Sequence, residues 1–231
     1  MNLEIITKNK KKFIGILILL CLWGSLYGWW KYQFPSATWN YKLTVTVETP
    51  EGIKTGSAVR EITVAIRPVP MDKRRPWRSN ISVKGEAVVV DLGNRGTLFA
   101  VLDGDDAYHV VFNTFPYIKG GGTPEGAAHY AQLKAGPSVI KQIPTMVTFK
   151  DMKDPKTVVA VDRANLAGTF GKGVKLKDVT IEMTDEDVTW GIGKHLVWLD
   201  SLNANLDGSD VTTGSSYANT LHVGYFKVGG Q

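Results

Sequence analysis

The hydrophobic pattern of this chain changes period at about residue 30. From Phe13 to Trp30, eighteen residues carry no charge. As a helix they span about 27 Å, close to the hydrocarbon thickness of a bilayer. No polar face interrupts them, so an isolated surface helix could not hold them in water. Beyond this run the period falls to two. Residues 41–48 place Tyr41, Leu43, Val45 and Val47 on one side and Lys42, Thr44, Thr46 and Glu48 on the other, which predicts a half-buried strand. A turn at TPEG follows, with Pro50 and Gly52 as its turn formers. Residues 57–67 resume the alternation at Val59, Ile62, Val64 and Ile66, and the phase shift after Val59 predicts a bulge. The two strands make a hairpin. A loop over 68–80 leads to a second hairpin, 81–93 with 97–103, joined across GNRG.

The second half is more broken. Residues 105–116 fit a strand or a buried helix equally. Thr123 as cap, Pro124 at the first helical position, Glu125 at the positive end and Gly136 as stop predict a helix over 124–135. A strand is expected at 145–149 and a short helix at 162–171. Another strand at 174–183 shifts phase at Lys177–Asp178. The acids of TDEDVT predict a helix start within 184–200. A turn-rich loop covers 203–219, and a strand closes the chain at 220–228. The order is not a regular βαβ alternation, which argues against a doubly wound parallel sheet. The predicted fold class is mainly β (α+β): a mixed, mostly antiparallel sheet or sandwich with a few short peripheral helices, preceded by one transmembrane helix.

The apolar run reads as an anchor that stays. Four lysines (8, 10, 11 and 12) precede it and only Lys31 follows closely, so the positive-inside bias puts the N-terminus in the cytoplasm. Signal cleavage needs small residues at −3 and −1. Ser25 is followed two places on by Tyr27, and Gly28 is preceded two places back by Leu26. Leu19 and Leu20 before Cys21 do not suit a lipoprotein signal. Trp23, Tyr27, Trp29, Trp30 and Tyr32 crowd the exit end, where amphipathic rings form an interface belt. The organisation read from this is a basic cytoplasmic tail (1–12), a transmembrane anchor (13–30), a spacer (31–40) and an extracytoplasmic β-rich domain (41–231).

Charge then narrows the partners. The chain carries +5, but the body beyond residue 30 has 23 basic and 21 acidic residues. A near-neutral body does not suit nucleic-acid binding, which wants a basic one. The single cysteine, Cys21, lies in the apolar run. The body therefore relies on core burial, with no internal disulfide.

Candidate chemistry is sparse. His109, His129, His195 and His222 form no metal-ligand spacing. No GxSxG elbow occurs, and a set of Ser216, His222 and Asp210 would have to be assembled by the fold. Asp103, Asp105 and Asp106 are oxygen-rich but lack the Ca²⁺-loop pattern. GGGTPEG puts glycines before a helix N-terminus, yet it lacks the P-loop lysine and carries Glu125 where a phosphate would sit. No catalytic residue, metal or cofactor is assigned. The most informative polar stretch is MDKRRPWRSN, where Lys73, Arg74, Arg75 and Arg78 surround Trp77. Cations with an indole suit anionic headgroups or an acidic partner; the plainer reading is a solvated loop with Trp77 covering the sheet edge.

The segments VETPEGIKTGSAVREI, KGEAVVVDLGNRGTLFAVL, VDRANLAGTFGKGVKLKDVTIEMTDEDVTWGI and YANTLHVGYFK resemble a group of single-pass bacterial membrane proteins of unknown function. That resemblance covers nearly the whole chain and implies a bacterial origin and the same tethered architecture. It implies no activity or site residues. The expected function is a membrane-tethered binding or assembly module of the bacterial envelope, in the inner membrane, partnered by the lipid bilayer and an envelope protein. The alternatives are an envelope hydrolase built from distant loops around His222 or His109, or a small-ligand sensor with a deep apolar pocket.

Overall fold

The computed structural model describes residues 3–33, 36–69, 72, 74, 77–102 and 106–230. Helix α1 (Leu3–Gln33) precedes strands β1 (Ser36–Thr49), β2 (Gly52–Pro68), β3 (Trp77–Glu86), β4 (Val88–Asp91) and β5 (Thr97–Ala100). Helices α2 (Asp106–Thr114) and α3 (Pro124–Gln132) come next, then β6 (Ser138–Val139), β7 (Met146–Phe149), β8 (Val158–Ala160), α4 (Ala167–Phe170), β9 (Lys175–Thr184), α5 (Tyr217–Thr220) and β10 (Lys227–Val228).

The strands form two sheets with antiparallel pairing throughout, ordered β10-β3-β2-β1-β9-β6 and β4-β5-β7-β8. The first sheet alternates as a one-sided sheet should. Trp39, Tyr41, Leu43, Val45 and Val47 are buried, while Lys42, Thr44 and Thr46 face outward. That inner face packs on Val88, Val90, Leu98 and Ala100 of the second sheet and on α2, α3 and α4. The second sheet is a middle layer. Its other face, through Phe99, Val147 and Phe149, meets a largely irregular C-terminal layer holding Ile192, Leu196, Trp198, Leu206, Leu221 and Phe226. Coverage on both sides explains why its strands read as unbroken apolar runs such as VVVD and MVTF.

Several expectations are corrected. The alternation begins at Ser36, not Tyr41, so Trp39 is a core residue and not part of a polar spacer. No bulge lies near Val59: β1 and β2 keep one register from Ser36↔Ala65 to Thr49↔Gly52. The phase shift arises because Arg60 takes the core-facing position between Ala58 and Ile62. Val59 is buried on the opposite face, where its N–H and C=O bond Thr189. The shift at Lys177 is a true irregularity, with Thr46 opposite Asp178 and Val47 opposite Leu176. The segment expected as one strand over 81–93 divides: β3 starts at Trp77 in the first sheet, and after Ala87 the chain enters the second sheet as β4. Residues 106–114 are helix.

The helix expected within 184–200 is one 3-10 turn, Ile192–Lys194. Thr184, expected to cap it, accepts instead from Glu186 N–H at 3.1 Å, and Gly191 and Gly193 weaken continuation. The closing strand over 220–228 is a 3-10 turn followed by the two-residue β10.

The layers meet closely at Gly56, where a Cβ would stand 2.0 Å from the Val89 carbonyl oxygen. Backbone cannot give way as a flexible side chain can. Gly56→Ala is expected to cost about 1–3 kcal/mol, read as a lower urea midpoint of the detergent-solubilised chain. Gly136→Ala, at an open position with nothing near its Cβ, should stay within about 0.5 kcal/mol of wild type.

Candidate functional site

Lys12–Tyr32 of α1 is long and apolar enough to cross a membrane, and none of that window is buried against the rest of the chain. Trp23, Tyr27, Trp29, Trp30 and Tyr32 are all exposed. The Lys31 ammonium lies 5.8 Å from the Tyr27 ring centroid, and the Ser25 hydroxyl donates to the Cys21 carbonyl at 2.8 Å. Three peptide steps separate Gln33 from Ser36. At no more than about 3.6 Å each, they keep the start of β1 within about 11 Å of the helix end.

Strand register shows what shares that end of the first sheet. Ser36 lies opposite Ala65, Ala65 opposite Asn80, Arg67 opposite Arg78, and Pro68 opposite Trp77. Arg67 and Arg78 are exposed, and neither has an ion-pair partner among the described residues. Like charges directly opposed across two strands are unfavourable on their own. Arg74 is exposed, and its backbone N–H donates to Asp72 Oδ1 at 3.0 Å. Trp77 is half-buried against the main core, as a cover for the sheet. Lys73 and Arg75 lie outside the described residues.

Beside this hairpin end runs the Tyr117–Gly122 loop. Gly122 sits against Ser79 and Ile81 of β3. Tyr117 stacks on His129 with centroids 4.3 Å apart, and Tyr130 stacks on Trp39 at 5.5 Å. Ile118, at the turn, is 98 % exposed. Lys119 pairs with Glu125 at 2.9 Å. That pair, together with the Thr123 hydroxyl accepting from Gly126 N–H and donating to the Gly120 carbonyl at 2.9 Å each, closes the glycine loop on itself. Its helix N-terminus serves its own cap.

The β9 side of the same end is acidic. Asp185 pairs with Lys134 and Glu186 with Lys42; Asp187 is exposed.

The remaining constellations are engaged locally. The Ser216 hydroxyl accepts from Asn219 N–H at 3.2 Å, and His222 Nδ1 accepts from Gly224 N–H at 3.0 Å. Asn219, which sequence reasoning passed over, is buried at the centre of its loop. It donates to Asp207, Ser209 and the Val211 carbonyl, and accepts from Thr213 and Gly214. Ser209 and Asn219 donating to Asp207 hold its carboxyl below the usual range. Among the described residues no group of three His, Cys, Asp or Glu could hold a metal. Asp103 and Asp105 fall outside the described residues.

Two concavities occur near α2. A groove of about 580 Å³ is lined by Val110, Asn113, Thr114, Ser138 and Lys141, with Asn113 donating to Gln142 at 3.0 Å at its margin. A smaller cleft has buried Arg60 in its wall with Val101, Ala107 and Ile143. No protein-family model, curated protein or solved structure matches the chain.

Tyr41 lies directly opposite Arg60 in the β1–β2 register. Burial pushes its phenol pKa up, and the neighbouring guanidinium only partly opposes that. The folded state keeps the neutral phenol, whereas the unfolded chain ionises near the ordinary value of about 10. Stability linked to Tyr41 is therefore fully present below about pH 10 and is lost as pH rises through the raised folded value. Alkaline denaturation of Tyr41→Phe, which cannot ionise, should depend less on pH above about 10 than that of the wild type.

Proposed function

We propose that this chain is a membrane-tethered binding or assembly module of the bacterial envelope, anchored in the inner membrane with its N-terminus cytoplasmic and its β-rich body on the far side. The observation that carries the reading is the uncharged Phe13–Trp30 stretch of α1, which the body does not cover. A helix apolar all round needs either a protein core or lipid. The lysines before the run and the aromatics at its exit support the orientation.

A non-catalytic role is supported by the local duties of Ser216 and His222, whose hydrogen bonds cap neighbouring turns. The hydrolase alternative would use those same groups. The basic hairpin loop and its Trp77 give the module a surface for an anionic partner, lipid headgroups or an acidic envelope protein. Near an anionic surface each cation contributes about 1 kcal/mol. A tethered body meets that surface at an effective concentration on the order of millimolar, so weak contacts are populated.

Three measurements test the reading. A phosphatase reporter fused after Gln231 should be active only outside the cytoplasm, and the membrane-extracted chain should retain the Phe13–Trp30 segment. A cytoplasmic reporter, or a mature chain starting beyond Trp30, would remove the tethered module. Detergent-solubilised protein should also retain a stoichiometric envelope partner.

A further inference from the structure

We infer that the β2–β3 end of the domain is a docking surface for anionic lipid, in which Arg67 and Arg78 share a headgroup phosphate on the outer face of the sheet end and Ile118 enters the interface from its core-facing side. This rests on the tethered reading and names the partner of that end. Arg67 was not among the residues singled out from sequence, because it lies eleven positions from Arg78 and at the end of an apolar row. The strand register brings the two side by side.

Directly opposed residues on paired antiparallel strands have Cβ atoms about 5 Å apart. Two exposed guanidinium groups at that spacing repel each other until an anion lies between them. A phosphate matches, because guanidinium forks bind its oxygens in pairs. No carboxylate among the described residues takes that place. The contrast with the same end of β9 is informative, for there Asp185 and Glu186 already have Lys134 and Lys42. At this end of the sheet Arg67 and Arg78 thus stand without an ion-pair partner among the described residues while Asp185 and Glu186 are neutralised, which orients the β2–β3 side toward an anionic surface.

Ile118 supplies the apolar part. It is 98 % exposed on a turn whose one cation is closed by Glu125, and its loop is fixed by Gly122 against Ser79 and Ile81, on the core-facing side of β3 and across the strand from Arg78. An isolated exposed isoleucine is ordinary. One on a loop packed against the start of β3, across the strand from a phosphate-seeking arginine pair and at the end of the sheet kept within about 11 Å of a membrane span, has the bilayer interface within reach. The occupant is lipid, because the tether presents this end to the headgroups before any protein.

The test uses the full chain in vesicles of brominated phosphatidylcholine, with or without about 30 % phosphatidylglycerol. In a Cys21→Ser background, an environment-sensitive fluorophore is placed at Ile118→Cys, or at Ile53→Cys on the exposed far end of the β1–β2 hairpin. Wild-type protein labelled at Cys21 reports insertion of α1. Lipid quenching at position 118 should rise at least about threefold with the anionic lipid, while position 53 stays unquenched. Arg67→Gln with Arg78→Gln should return position 118 to its value in neutral vesicles. These exposed, unpaired side chains can be replaced without loss of folding, which circular dichroism checks.

A quenched Cys21 with an unquenched position 118 in anionic vesicles overturns the docking and leaves the tether. An unquenched Cys21 overturns the tether itself. Equal quenching at 118 in both vesicle types overturns headgroup recognition. Crosslinking of an unquenched position 118 to an acidic envelope protein assigns the surface to that protein and likewise overturns the lipid.

Discussion

The Arg60 guanidinium lies between the two sheets, 1 % exposed, with Nε–H donating to the Glu86 carbonyl at 3.0 Å and Nη2–H to the Ala100 carbonyl at 3.3 Å. Tyr41 stands opposite it and spends its own hydroxyl proton on the Ala107 carbonyl. A buried cation costs several kcal/mol unless its donors are met, so these carbonyls must arrive together. They belong to the β3–β4 junction and the end of β5, and their meeting on Arg60 fixes how the second sheet lies on the first. A slip of β2 by one residue would turn Arg60 outward and bring Val59 into its place, abolishing all of these contacts at once. Gly85 makes the approach feasible: its φ is +142°, and a Cβ there would stand 2.8 Å from Arg60 Cγ. Glu86 extends the linkage, since its carboxylate accepts from Gly191 and Ile192 N–H at 2.6 and 2.8 Å. One residue thereby joins both sheets and the C-terminal layer.

The parts of this fold legible in the sequence are those where local pattern and burial agree. The β1 row and the Thr123–Pro124–Glu125 helix start follow from spacing and capping chemistry alone. The chain misleads where tertiary contacts override the local pattern. Arg60 breaks an apolar row and imitates a bulge, because its compensation comes from carbonyls 26 and 40 residues away. TDEDVT imitates a helix start, while two of its acids, Glu186 and Asp185, are used as ion-pair partners for Lys42 and Lys134. The basic cluster was visible as composition, but the pairing of Arg67 with Arg78 depends on register, which no single-strand pattern specifies. Asn219 gives no signal at all, being an ordinary loop residue until the loop closes around it.

Helix α1 and the body pose different physical problems, and the chain solves them separately. The helix exposes apolar side chains all round and finds no cover in the protein. The body covers its apolar surface with three layers and keeps its charge nearly balanced. Its polar loops are largely self-satisfied: the glycine loop by its threonine cap, the 205–219 loop by Asn219. Groups occupied in this way hold shape and leave little for chemistry on a substrate. At the base of β2 and β3, by contrast, Arg67 and Arg78 stand directly opposed with no ion-pair partner among the described residues.

The short link into β1 also has a mechanical consequence. β1 is flanked on both sides, by β2 over its full length and by β9 over its upper part, and it is the strand that continues from the helix. Tension applied through α1 along the strand axis would enter at Ser36 and load both ladders in shear. Many hydrogen bonds would then have to fail together, where an edge strand pulled from its end would peel one bond at a time. The chain thus joins its body to the apolar helix by the element best placed to resist being pulled away along the strand axis.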